Sequence, residues 1–322
     1  MSRSLFGLFW ALAFVFIEAL QYVYFGNIFQ RVNSYLFGAI VLGLSAALVI
    51  GAAAIRTPDQ MRAAGRNLPV LFIVNVLVCL SWIAILISVQ VIEPAIAYTL
   101  GAGAMPLAAW AAHLRGIPEG DAPRNGLERL GLWTILASLV WLSVATVAGQ
   151  SGFVRGGVGV GLMGVALALA EGVMFTAVLV YCQRLDRRGI GPGAVFGLRF
   201  VLYVVVAAAA ATMGLDAKPV SPGAGELAVI TGFGLLLIVP PLFALQRAVA
   251  LISTLTISVL TALGPFFIFA MQMIEGRVSF SPATLGGLAL FLAGSLLAAF
   301  GAVRATMRTR PHTPLSSPEQ SG

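Results

Sequence analysis

Two glutamates set the chemistry that the rest of this chain has to accommodate. Glu18 lies in Ala11-Leu-Ala-Phe-Val-Phe-Ile-Glu18-Ala-Leu-Gln21-Tyr22, and Glu171 lies in Gly164-Val-Ala-Leu-Ala-Leu-Ala-Glu171-Gly-Val-Met-Phe175. Each falls about 13 to 14 residues into an apolar run, roughly 20 Å along a helix at 1.5 Å per residue. An ionisable group at that depth in lipid is costly and marks a functional site by default. A carboxyl held inside a helical bundle can exchange a proton near neutral pH and, once ionised, can hold a cationic group. Its bland alternative is a protonated acid that only hydrogen-bonds one helix to another. Gln21 and Tyr22 share the face of Glu18 at i+3 and i+4. The two stretches also match each other, Ala13 with Ala166 and Tyr22 with Phe175, so the chain reads as a doubled unit with one buried acid in each half.

The elements that must position these acids are apolar spans. The chain has 322 residues, 59% of them hydrophobic and only 10% charged, with a mean hydropathy of +0.98, far from the roughly 25% charged residues of a soluble domain. With about 20 apolar residues per span, spans are expected near 5–24, 35–55, 68–89, 92–113, 130–148, 157–182, 193–213, 227–245, 248–273 and 283–303. The runs are continuous rather than alternating, which favours helices over a β-barrel. Ten spans from a cytoplasmic N-terminus place Arg3, Arg56, Arg62, Arg66 and most later arginines inside, and only Arg31, Arg155, Lys218 and Arg277 outside. One miscounted span would destroy that asymmetry, so the basic balance reports topology and argues for both termini in the cytoplasm, not for a nucleic-acid partner. The first run is too long for a cleavable signal and is expected to be retained. Residues 306–322, with Pro311, Pro314 and Pro318, lack apolar content and are expected to form a disordered cytoplasmic tail.

The repeat extends past the glutamates. Tyr98 to Pro106 parallels Thr256 to Pro265, and Leu130-Gly131 parallels Leu285-Gly286; the offsets for Glu18/Glu171, Pro106/Pro265 and Gly131/Gly286 are 153, 159 and 155 residues. The fold expected is an all-α integral membrane protein of ten transmembrane helices. It divides into a five-helix repeat over 1–150 and a second over 151–305, inverted because five is odd. That plan places a substrate site near the midplane, at the repeat interface.

With these features in place, the chain resembles the ten-span EamA-like proteins of the drug/metabolite transporter superfamily. The resemblance covers about residues 5–305. It is carried by the inverted five-plus-five plan, Ile92-Glu93-Pro94 opening the fourth span, Pro106 and Pro265, and Ile274-Glu275-Gly276-Arg277 followed by Leu285-Gly286-Gly287. Arg115-Gly-Ile-Pro-Glu119 replaces the corresponding first-half loop only loosely. The resemblance implies secondary transport of small organic metabolites, often outward, across an inner membrane. The settings of Glu18 and Glu171 also look like the first-helix glutamate of the small multidrug-resistance antiporters, where that carboxylate exchanges protons for a cationic drug.

Further candidates carry two readings each. Arg199, about six residues into its span, either snorkels to the cytoplasmic edge or faces inward as a fixed cation for a substrate carboxylate. Asn75, Tyr98, Gln246 and Gln272 either line a cavity or bond between helices. Glu93 before Pro94 reads as a helix start, and Pro106 and Pro265 as kinks or breaks usable as hinges. Cys79 and Cys182 are expected to be free thiols. No metal-ligand spacing, cofactor motif or Walker A pattern is present. The function expected is export of a small polar or zwitterionic metabolite by a monomer in the bilayer, such as an amino acid or an amino-acid-derived compound of the opine-metallophore type, with proton antiport through Glu18 and Glu171 as its coupling. The alternatives are a facilitator or channel without proton coupling, and a lipid-modifying membrane enzyme. With His113 and His312 as the only histidines, the enzyme reading lacks its usual cluster of ligands or acids, so the chain is not expected to be an enzyme.

Overall fold

A long apolar run in lipid must satisfy its own backbone hydrogen bonds, and in this chain each one becomes helical. The computed structural model describes residues 3–117, 120, 122–219, 222–249, 251–252 and 254–308. In chain order the helices are α1 (Arg3–Ile28), α2 (Ser34–Arg56), α3 (Pro58–Arg66), α4 (Leu68–Val91), α5 (Pro94–Leu114), α6 (Gly126–Val147), α7 (Val158–Asp186), α8 (Pro192–Leu198), α9 (Val201–Thr212), α10 (Ala224–Val249), α11 (Thr254–Thr261), α12 (Gly264–Glu275) and α13 (Pro282–Arg308). Among the described residues there are no strands, only one isolated bridge between Ile92 and Val154. Counting α8 and α9 as one, 9 helices among the described residues are long and apolar enough to cross a bilayer. Their outward faces carry Leu48, Ile55, Phe72 and Leu236, all well exposed, as suits lipid and not water. This is the build of a multi-pass membrane protein.

Start signals in the sequence explain several boundaries. Asn33 caps α2 by accepting the Leu36 N–H (3.0 Å), and Asn125 caps α6 by accepting the Glu128 N–H (3.0 Å), each satisfying one orphan donor of a first turn. Proline opens α3, α5 and α8 at positions where its missing N–H costs nothing.

The structure details the plan read from the sequence at three places, the first being a break expected at Pro265. The stretch read as the ninth span is interrupted: α11 stops at Thr261 and α12 begins at Gly264, because Pro265 supplies no N–H and disfavours helix just before it. The loop after the second span contains α3, nine residues with Asp59, Arg62 and Arg66 on an exposed face and Ala64 buried, too short and too polar to register as a span. Helix α13 carries the backbone on to Arg308, three residues into the stretch expected to be disordered; the rest of that tail lies outside the described residues.

The helix ends gather into two faces. On one, Ile92 bridges Val154, the Ser279 N–H donates to the Gly152 carbonyl (3.0 Å), and Asn27 hydrogen-bonds Glu275. On the other, Arg188 donates to Asn67 (2.7 Å), the Gly191 N–H to Gln60 (3.2 Å), and Asn125 to the Gly301 carbonyl (2.6 Å). Between these faces the most extensive packing joins α6 to α13, α4 to α7 and α1 to α10. The α6–α13 pair is close because small residues face each other: a Cβ on Gly131 would lie 2.7 Å from the Gly294 carbonyl oxygen, the kind of approach that membrane helices use in place of a hydrophobic drive.

Candidate functional site

The buried glutamates meet in one space. A cavity of about 320 Å³ is lined from α1 by Glu18, Gln21 and Tyr22, from α5 by Tyr98, from α7 by Glu171, and from the turn between α8 and α9 by Arg199. The sequence singled out all six, and the fold brings them together from both halves of the chain.

Several of these side chains have an identifiable support. The Tyr98 hydroxyl donates to Glu18 Oε2 (3.1 Å), and the Tyr98 ring stands edge-on to Tyr22, with centroids 4.9 Å apart. Glu171 has the Ser81 hydroxyl as hydrogen-bond partner and interacts electrostatically with Glu18. Its carboxylate sits against α5 at Gly101, where any Cβ would strike Oε2, and the neighbouring Gly172 packs on the Gly101 backbone. Two small residues thus allow α7 to deliver its acid to the surface of α5.

Arg199 resolves against snorkelling. Its guanidinium lies between two rings, 5.1 Å from the centroid of Phe196 and 5.0 Å from that of Phe200, a cation–π arrangement, and the Cys182 thiol is its hydrogen-bond partner. The reason it points inward is found one helix away. In a continuous helix the Leu202 N–H would donate to the Leu198 carbonyl. Here Asn75 stands between them: its Oδ1 accepts the Leu202 N–H (2.9 Å) and its Nδ2 donates to the Leu198 carbonyl (2.9 Å) while also bonding the Leu71 carbonyl (2.9 Å). A side chain inserted into the hydrogen-bond ladder breaks a helix, and the turn so opened carries Arg199.

Asn75 therefore does not line the cavity, which corrects its sequence reading. Gln272 does not either; it is buried and donates to Glu93. Glu93 also accepts from the Thr284 hydroxyl (2.8 Å) and the Gly152 N–H (3.0 Å). Burial pushes this carboxyl above its usual range, and the donors from Thr284, Gly152 and Gln272 pull the other way. Glu93 is a joint between loop, α12 and α13 rather than part of the cavity. Nearby, burial lowers the Arg277 guanidinium, with Glu275 opposing. The side chain of Gln246 lies outside the described residues. Of the two prolines, Pro265 opens α12 beside the break at 262–263, whereas α5 runs through Pro106 unbroken.

Sequence reasoning passed over much of the wall. Trp82, Phe175, Phe196 and Phe200 line the cavity with Phe14 and Met105, yet in an apolar span such residues carry no signal that separates a cavity from lipid or core. Cys79 and Cys182 are free thiols, as expected. Among the described residues no cluster of His, Cys, Asp and Glu could hold a metal. The arrangement offers two acids and a cation in a mainly apolar, aromatic chamber with a few neutral polar groups, large enough for a small organic molecule.

No protein-family model and no curated protein matches the sequence. A solved structure known only as the crystal structure of a protein superposes with a TM-score of 0.58 at 21% identity, over 94% of this chain and 98% of that one. At that identity the likeness shows a shared fold and nothing about activity.

Proposed function

We propose that the chain is a secondary transporter of the drug/metabolite transporter kind, built of ten crossings in two inverted halves and set in an inner membrane with both termini cytoplasmic. The observation that carries the reading is the convergence of Glu18 and Glu171, one from each half, on a single cavity with Arg199. Supporting the inverted plan, exchanging the halves turns the α4–α7 contact into the α10–α1 contact and leaves α6–α13 and α2–α9 unchanged, and these are pairs that pack.

On this reading the substrate is a small zwitterion, an amino acid or a compound derived from one, moved outward. Its ammonium group engages the glutamates while its carboxylate engages Arg199, whose planar fork suits that geometry. Two acids sharing a low-dielectric site do not both ionise readily, so a proton held by the pair leaves as the cationic substrate binds and returns as the site reopens. The chain is then a proton-coupled carrier and not an enzyme.

The test is flux in liposomes holding purified protein, with and without an imposed pH gradient. Glu18→Gln, nearly isosteric but unable to ionise, is expected to abolish gradient-driven accumulation while insertion and folding survive, and Glu171→Gln to do the same or shift the pH optimum. Wild-type flux that ignores the gradient, with binding still lost in Glu18→Gln, indicates a facilitator. Flux unchanged in both variants at every pH defeats the proposal.

A further inference from the structure

A second cavity, about 570 Å³, lies at the face where α1, α4 and α9 end. Four basic residues belong to the loops and helix ends of that face, and three of them have an acid within 4.0 Å: Arg31 stands 3.9 Å from Glu226, Arg277 stands 3.9 Å from Glu275, and Lys218 pairs with Asp216. Arg155 has no acid within 4.0 Å among the described residues. Its Nη1 donates to the neutral Gln30 Oε1 (3.0 Å), and the remaining guanidinium donors are left in the cavity it lines.

Arg155 is exposed, but both its backbone and its guanidinium are tethered. The Arg155 N–H donates to the Val91 carbonyl (2.8 Å), next to the bridge of Val154 to Ile92, so the backbone there is pinned to the end of α4. Gln30, its side-chain partner, is itself fixed by bonds to the Gly26 and Gln90 carbonyls (3.0 and 3.1 Å). Across the cavity the buried Lys218 ammonium donates to Asp216 and to Gln90 Oε1 (3.2 Å), which leaves one of its three protons unused. Asp216 is fully engaged, its Oδ2 accepting the Ser34 N–H (2.9 Å) and hydroxyl (2.8 Å). Tyr35 adds a further lining side chain. Two cations and one carboxylate leave the cavity with a net charge of one positive unit.

We propose that this cavity is a binding site for a small monoanionic carboxylate, taken by the free fork of Arg155 with Lys218 as second donor. A planar guanidinium matches a planar carboxylate through two parallel bonds, and one negative charge balances the site where a dianion would overfill it. The site is separate from the central cavity and shares none of its acids, so the proposal stands or falls apart from the transport reading.

The experiment follows ¹³C-acetate by NMR line broadening with the full-length protein purified in detergent. Saturable binding is expected, weakened roughly tenfold by Arg155→Gln through loss of the charge-assisted pair, less by Arg155→Lys, and unchanged by Glu18→Gln. Should Arg155→Gln not fold, Arg155→Lys carries the test, and full acetate affinity in that variant overturns the role of the fork. The proposal is also overturned by equal binding in Arg155→Gln, by loss of binding in Glu18→Gln, by inorganic phosphate or chloride competing more tightly than acetate does, or by the absence of saturable binding.

Discussion

Glu18 is conspicuous in the sequence and is held in the cavity by one identified partner. Its hydrogen bond from Tyr98 makes a sharp test, since Tyr98→Phe removes one hydroxyl and keeps the ring against Tyr22. A single hydrogen bond is worth about 0.5–1.5 kcal/mol net, so Tyr98→Phe should lower substrate affinity several-fold in the liposome assay with no loss of folded protein. For Arg199, lysine keeps the charge but not the bidentate fork. Arg199→Lys should weaken substrate binding clearly, and tolerance of lysine would show that the guanidinium serves packing against Phe196 and Phe200. These acids and this arginine were legible because a charge in an apolar run is conspicuous at any resolution of reading. Asn75 was conspicuous for the same reason, yet its task was not, because an amide's role depends on a partner 123 residues away. Trp82 and Phe196 were invisible: an aromatic residue in a span looks the same whether it faces a ligand, a lipid or another helix.

Among the elements, the two interrupted helices and the glycine contacts matter most. Asn75→Leu would leave the Leu202 N–H and the Leu198 carbonyl without partners, and a buried group so stranded costs about 1–3 kcal/mol. The variant should unfold at lower temperature in detergent and lose transport beyond what stability explains, because the turn bearing Arg199 is no longer held open. Gly172→Ala should also destabilise, since the added methyl group meets the Gly101 backbone and Ala104 Cβ, the latter at 2.8 Å; Gly65→Ala, with nothing within 4 Å of the added atom, is the control expected to leave the melting temperature unchanged. Span positions were readable from hydropathy alone. The break before Pro265 could be anticipated from that residue, whereas the break after Leu198 has beside it only Gly197, one glycine among many in this chain, and is held open from another helix.

For the whole molecule, the gathering of loops into two faces makes sidedness testable. Reporter fusions after Arg66, Arg129 and Arg188 should read cytoplasmic and those after Asn33, Gln150 and Lys218 external; a cytoplasmic reading at Lys218 would undo the inverted plan. That expectation rests on the charge asymmetry along the chain, while the packing partners, fixed by shapes distant in sequence, could not be read from it. The inserted Asn75 also constrains mechanics. Through it α4 carries hydrogen bonds that α8 and α9 would otherwise make to each other, so sliding α4 past the α8–α9 turn would strip two backbone groups at once inside the bilayer. Asn75 thus ties α4 to α8 and α9. If the chamber opens to one side and then the other, as the proposed function requires, the movement shears along a different seam, and the discontinuity between α11 and α12, bridged by no such side chain among the described residues, offers one place to bend.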